Sequence, residues 1–482
     1  MTNAAEPALR GVAASPVDVP AAVREGASFR DPAGAVYRTA DHRILRTIGQ
    51  SVMADFAHVR DSGFLERQTA AGRLVRSVPV PLAAAAAAGV PLDDTVGAVL
   101  EHARIDILSM PYEWPYALLR KAALFHLGLQ IDALDADISL VDASAFNVQF
   151  VGVSPTFMDV LSFRRYRDGE YWLAHGQFCR HFLTPLLLGA HRGLDFQSHW
   201  RGALAGPPEA ATYALLPWSQ KLRWRVFKHL ALPTHLERLF PRLLQQAVAR
   251  RAPLPRRNFR AMLVEMRDWI ASLPGTPGGR STWGGYVDEQ DPRPLQRKLE
   301  IAREFAALHR PGLLLDVGCN AGHAAAAACE GGAANVVGWD MDEGALTKAC
   351  ALAAEAELAF LPLRVDVCNP SPDQGWRGTE WSGIHRRLQP DACMALAVLH
   401  HIVVSGGIPL ERAVRWLAGL APRGLIEFVP PEDPQYRRLT RFRSAPVPGY
   451  GVAEFERALG ACARIVRRDT LPGTERSVYW YE

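Results

Sequence analysis

The stretch LLLDVGCNAGH, residues 313 to 323 of a 482-residue chain, constrains the fold more than any other. Three leucines and a valine bracket Asp316; Gly318, Asn320 and Gly322 follow, and an alanine-rich run begins at once. An apolar run ending in glycines predicts a buried parallel strand that turns sharply into a helix. The glycines let the backbone turn tightly and approach a ligand closely, and the start of the helix offers unpaired N–H groups.

Two nucleotide-type readings compete for this turn. A dinucleotide fold prefers G-x-G-x-x-G to seat a pyrophosphate. Here the pattern is D-x-G-x-x-x-G, with an acid at the strand end. An acid there suits a cationic ligand that also carries a carboxylate, and S-adenosylmethionine is such a ligand. The stretch resembles motif I of the class I methyltransferases, which implies that Asp316, Gly318, Asn320 and Gly322 bind this cofactor.

The segments that follow fit the same layout. ANVVGWDMD, residues 334 to 342, reads as a second apolar strand ending in Asp340. The separation from Gly318 is close to the ~20 residues expected of an acid that reaches a ribose hydroxyl pair. Asp342 competes for that role; Asp340 is nearer the strand end. LAFLPLRVDVCNP carries Asp366, where the resemblance implies an acid accepting the adenine amino group. DACMALAVLHHIV, residues 391 to 403, reads as the fourth strand, with His400 and His401 at its end. An imidazole there can accept a proton from an acceptor hydroxyl. Adjacent residues on a strand face opposite ways, so at most one should face the crevice. GLIEFVPPED reads as the fifth strand, and ARIVRR and SVYWYE as a closing antiparallel pair. Just upstream, PGTPGGRSTWGGY, residues 274 to 286, marks a boundary or lid, and its Trp283 and Tyr286 are candidates to close over the cofactor.

The N-terminal half is organised differently. Residues 34 to 48 predict a β-hairpin around Ala-Asp-His, 51 to 76 a helix, 93 to 103 a further helix, and 117 to 134 a buried helix. Then SLVDASAFNVQFVGVSPTFMDVLSF contains Asp142, Asn147 five residues on, a short strand pair, and Asp159. That arrangement resembles the catalytic segment of protein-kinase-like and aminoglycoside-phosphotransferase-like folds. The resemblance implies that Asp142 positions an acceptor hydroxyl while Asn147 and Asp159 bind magnesium. No G-x-G-x-x-G loop precedes it, and no V-A-I-K lysine is evident, Arg43 or Arg46 being the nearest substitutes. Residues 170 to 190 predict one helix, and 216 to 272 a helical connector. His175, His181, His229 and His235 lie along these helices without metal-ligand spacing, so the expectation for them is packing, with no metal apart from the magnesium reading.

Composition bounds the function. A formal charge of +4 gives no support to a nucleic-acid partner, and no apolar run is long enough for a membrane span. Seven cysteines without a C-x-x-C pair suggest neither a disulfide framework nor a zinc site, and a reduced cytoplasm is the expected setting. YEWP, DASAFNVQF and FCRHFLTPLLL, together with the DxGCNxG variant and the LHH turn, resemble a group of bacterial methyltransferases related to nodulation proteins. The expected fold class is α/β: a C-terminal Rossmann-like class I methyltransferase domain over 280–482, preceded by a disordered leader (1–30), an α+β, kinase-like domain (31–215) and a helical connector and linker (216–279). The expected activity is methyl transfer from S-adenosyl-L-methionine to a small-molecule or saccharide acceptor. The alternatives are a phosphotransferase, or a catalytically dead kinase-like scaffold that presents substrate.

Overall fold

A computed structural model describes residues 22–232, 252–275 and 292–482. Trp283, Tyr286 and His235 lie outside the described residues. The chain divides into two compact units, one of residues 1–54 and 76–104, the other of 55–75 and 105–482.

The first unit holds an antiparallel sheet of five strands: β1 (Val23–Arg24), β2 (Val36–Arg38), β3 (Ile44–Gly49), β4 (Ser77–Val80) and β5 (Val96–His102), in the order β1-β2-β3-β5-β4. The expected hairpin is β2–β3. Residues 22–30, expected in a disordered leader, instead contribute β1, which pairs with β2, and a 3-10 turn at Gly26–Arg30. The helix expected over 93–103 is strand β5. It is flanked by β3 and β4, and its β-branched Val96 and Val99 suit a pleated surface better than a helical one. Val99 packs with Leu45, Ala85 and Val90 in the core of this unit. Arg43 forks onto Glu101 across the sheet at 3.1 and 2.6 Å, and Arg46 pairs with Asp31.

The helix expected over 51–76 is two, Met53–Asp61 and Phe64–Ala70, broken at Gly63, whose φ of 69° no helix accommodates. In the second unit, the buried helix Tyr116–Asp135 leads into β6 (Ile138–Leu140), β7 (Val148–Val151), β8 (Ser154–Phe157) and β9 (Phe163–Arg165). β6 pairs with β9 and β7 with β8, so Asp142 follows one strand, Asn147 precedes a hairpin and Asp159 follows it. The helix expected over 170–190 begins only at His175, and a π turn at Cys179–Leu183 interrupts it.

The remainder of this unit is built on β10 (Leu314–Val317), β11 (Val336–Asp340), β12 (Phe360–Arg364), β13 (Ala392–Ala395), β14 (Gly424–Phe428), β15 (Ile465–Thr470) and β16 (Ser477–Tyr481). Their order is β12-β11-β10-β13-β14-β16-β15. The first five run parallel, and β16 enters antiparallel between β14 and β15. This is the class I methyltransferase arrangement, Rossmann-like with an antiparallel final strand. Strand order reverses between β10 and β13, which opens a crevice at their carboxyl ends. The two halves of the unit meet directly: Glu113 pairs with Arg387, both almost fully buried, and Phe146 stacks on Trp381 with ring centroids 4.5 Å apart.

Candidate cofactor and acceptor site

Everything at this site hangs on how β10 ends. Asp316 points from the strand into the interior with 1% of its surface exposed. Its Oδ2 has no hydrogen-bond partner among the described residues. Burial, and then the charge of Asp340, push its carboxyl up to about 7. An ionised group in such a place needs a cation, since burying a charge without a partner is costly.

Beyond Asp316 the chain reverses through Gly318 (φ 80°), Asn320 (φ 48°) and Gly322 (φ 85°). A Cβ on Gly318 would lie 2.9 Å from that of Val398, and one on Gly322 would lie 2.6 Å from Phe360 Cε1. The turn is thereby pressed against Val398, in the segment that follows β13, on one side and against Phe360, the first residue of β12, on the other. It is tied to the neighbouring strand as well: the N–H groups of Gly318 and Cys319 donate to the Trp339 carbonyl at 2.8 and 3.0 Å. The Asn320 N–H donates to Asp340 Oδ2 at 2.9 Å.

Asp340 is half-buried at the end of β11, and its Oδ1 accepts from the Asp342 N–H at 2.8 Å. Each oxygen keeps a lone pair for a further donor. Burial raises its carboxyl above the usual range. Asp342 is spent otherwise, capping the helix Glu343–Glu355 through the N–H groups of Gly344 and Ala345 at 2.9 and 3.0 Å. Asp366 follows β12, and its Oδ1 accepts from the Cys368 N–H at 2.9 Å. Asp316, Asp340 and Asp366 therefore follow the order of adjacent strands at one edge of the sheet.

His400 and His401 differ from expectation. β13 stops at Ala395, and Leu399–Val404 is a short helix. Leu396 to Val398 complete the turn, with Ala397 at φ 54°. The histidines are thus about 100° apart around a helix instead of on opposite faces of a strand. His400 is buried and its Nδ1 has no hydrogen-bond partner among the described residues; His401 is half-buried, with the ring centroids 4.2 Å apart. Burial pushes His400 down to about 2 and His401 to about 4, and the cation of Arg476 adds to both. Both rings are neutral at pH 7.

Arg476 belongs to a buried ion cluster that the sequence reading missed. It forks onto Asp433 at 2.7 and 2.9 Å and approaches Glu427 at 3.4 Å, and Lys298 reaches Glu427 at 2.8 Å. A glutamate inside the apolar strand GLIEF was the available signal, since a buried acid demands buried cations. Glu343 was missed too. It accepts from the Tyr116 N–H and lies 3.6 Å from Arg364, and burial raises it to about 7.

In the other half of the unit, Asp142 accepts from the Ser144 N–H at 2.8 Å and from the Asn147 amide at 3.2 Å. Asp159 accepts from the Leu161 N–H at 3.0 Å and the Ser162 hydroxyl at 2.6 Å. Burial raises Asp142, and the charge of Asp159 adds to it, so the two acids sense one another.

No protein-family model matches the sequence. The chain is 38% identical to nodulation protein NoeA of Rhizobium meliloti (strain 1021) over 464 residues, 95% of this chain and 96% of that protein. Solved structures with partial likeness include magnesium protoporphyrin IX methyltransferase from Synechocystis PCC 6803 with bound SAH. That likeness is 19% in identity and covers 39% of this chain and 83% of that one, with a TM-score of 0.30. The bifunctional kinase-methyltransferase WbdD is 22% identical over 45% of this chain and 46% of its own, also at a TM-score of 0.30.

Proposed function

The chain belongs to the family of nodulation protein NoeA, and from that premise we propose that it transfers a methyl group from S-adenosyl-L-methionine to a hydroxyl or amine of a small-molecule or saccharide acceptor. The observation that carries this reading is Asp316: a buried carboxylate with an orphaned oxygen, at the end of the central strand, beside a turn with no room for a Cβ at Gly318 or Gly322. The residues fit the cofactor. Asp316 and the turn would hold its aminoacyl end, Asp340 its ribose hydroxyls and Asp366 its adenine. When bound, it supplies an electrophilic methyl group.

The chain's own part is to position, to exclude water and to handle one proton. Such catalysis works mainly through proximity and alignment. His401, half-buried and neutral, is the better placed of the two histidines to accept a hydrogen bond from the acceptor, while His400 packs beneath it. A base whose conjugate acid is held near 4 is weak at pH 7. We therefore expect His401→Gln to slow single-turnover methylation at the low end of the ~10²–10⁴-fold range of general bases, and His400→Gln to cost stability first. Equal wild-type rates in both variants would exclude a proton-handling role.

Calorimetry with S-adenosylmethionine tests the main reading. Binding is expected in the wild type, and Asp340→Ala should weaken it by about 1–3 kcal/mol, typical of hydrogen bonds to a charged acceptor. Absence of binding by the folded wild type would refute the reading. A second reading is favoured by the convergence of Asp142, Asn147 and Asp159: a magnesium-nucleotide site, either phosphotransferring or serving a scaffold. Heat with Mg-ATP that disappears in Asn147→Ala, with the methyl-donor site intact, would support it.

A further inference from the structure

Three side chains that the methyl-transfer site does not use come together in the helical part of the second unit. His175 and Cys179 lie four residues apart on one helical face, and His229 approaches from another segment. His175 Nε2 is 2.9 Å from His229 Nδ1, and Cys179 Sγ is 3.7 Å from His175 Nε2. All three ligand atoms lie within 4.8 Å of one another. A tetrahedral zinc ion with Zn–N of ~2.05 Å and Zn–S of ~2.3 Å requires separations of about 3.3 Å between nitrogens and about 3.6 Å between nitrogen and sulfur. The nitrogen–nitrogen separation at His175 and His229 is about 0.4 Å shorter than that and the nitrogen–sulfur separation at His175 and Cys179 about 0.1 Å longer, so small side-chain shifts would seat an ion.

A second observation is independent of these distances. The described residues contain two π turns, Cys179–Leu183 and Phe227–Ala231. One begins at Cys179 and the other is centred on His229. A π turn is costlier than the α-helix it interrupts and is frequently found at functional sites. Here both π turns contain a residue of the cluster. Cys179 and His229 are buried and His175 is half-buried, so the cluster is largely shielded and partly accessible at His175. Trp172 and Trp269 close the sides, with ring centroids 6.2 Å from His175 and 6.0 Å from His229.

We propose that His175, Cys179 and His229 form a site for one thiophilic transition-metal ion of the zinc class. Two imidazoles and one thiolate suit such an ion and do not suit magnesium or calcium, which take oxygen donors. The thiol gives up its proton to solvent as the metal–sulfur bond forms. The site is independent of methyl transfer: a metal bound here should tie the segment around 175 to that around 229.

Metal content of the full chain, purified without chelator, should be close to one equivalent. Cobalt(II) added to chelator-stripped protein should give thiolate-to-metal absorption that saturates at one equivalent. Cys179→Ser should abolish that band, and His229→Gln should weaken cobalt binding at least tenfold. Circular dichroism and S-adenosylmethionine binding report whether each variant is folded. A folded wild type that takes up no zinc and shows no thiolate–cobalt band would overturn the proposal. So would a full equivalent retained by folded Cys179→Ser/His229→Gln, since the metal would then sit elsewhere.

Discussion

At Asp316 stability and binding pull against each other. The unfolded chain ionises this carboxyl near the ordinary 3.8, whereas the folded chain holds the proton up to about 7. Between those values the native state carries the extra proton, so rising pH erodes stability across the window and the full penalty persists above it. Asp316→Asn should therefore raise the cofactor-free protein's unfolding free energy at pH 8 on the order of 2–4 kcal/mol, with no difference at pH 3. The same variant should lose affinity for S-adenosylmethionine, because the amide offers no charge to the ligand's cation. Denaturant melts at the two pH values, paired with a binding titration, check both halves. A variant less stable than wild type at pH 8 would remove the argument. Asp316 and Asp340 were legible in the sequence because each ends an apolar run. Glu427 left a signal as an acid inside an apolar strand, but its partner Arg476 did not, since the pairing of a strand residue with one some fifty positions later leaves no local trace. His175, Cys179 and His229 escaped for the same reason: only the first two share a helix face, and His229 reaches them from a separate segment.

The glycine turn shows what an element can enforce. Gly322 stands at φ 85° as the residue before the helix His323–Glu330, and Phe360 fills the space where a side chain would go. Gly322→Ala combines left-handed strain with overpacking, and each is worth ~1–3 kcal/mol. Thermal melts should show that loss, with cofactor affinity falling alongside. Full retention of both would mean that the turn can relax. Period and punctuation made β10 and its turn readable, since an apolar run followed by glycines has few other solutions. The same logic misread β5, where Val96, Gly97, Ala98, Val99 and Leu100 run together without polar residues between them and show no strand period. It also misread the LHH segment: an apolar sequence continues smoothly from β13 into a buried helix, and only the backbone reversal at Ala397 separates them. A bare histidine pair carries no mark of which periodicity it follows.

Across the whole second unit, the sequence suggested separable modules, yet the contacts between them are of interior quality. Glu113 Oε2 also accepts from the Met110 N–H at 2.8 Å, so the acid paired with Arg387 is fixed from its own side. The Arg201 guanidinium donates to the Asn369 carbonyl at 3.1 Å, and the Gln374 amide donates back to the Arg201 carbonyl at 2.9 Å. Removing one member of a buried ion pair strands the other, at ~3–5 kcal/mol. Arg387→Ala should therefore destabilise the chain by that order in a urea melt, while Glu113→Gln with Arg387→Met should recover part of it. A loss below ~1 kcal/mol would show that water reaches the pair.

The Glu113–Arg387 pair has a bearing on how such a chain can be recombined. A fragment begun at residue 292 would carry the glycine turn, the strand-end acids and both histidines, and would look like a finished enzyme on paper. It would also turn Arg387, Trp381 and the Glu343 carboxyl outward against a partner that no longer exists. The methyltransferase end is thus no portable cassette: grafted onto another scaffold, it would need a replacement for YEWP before it could stay in solution.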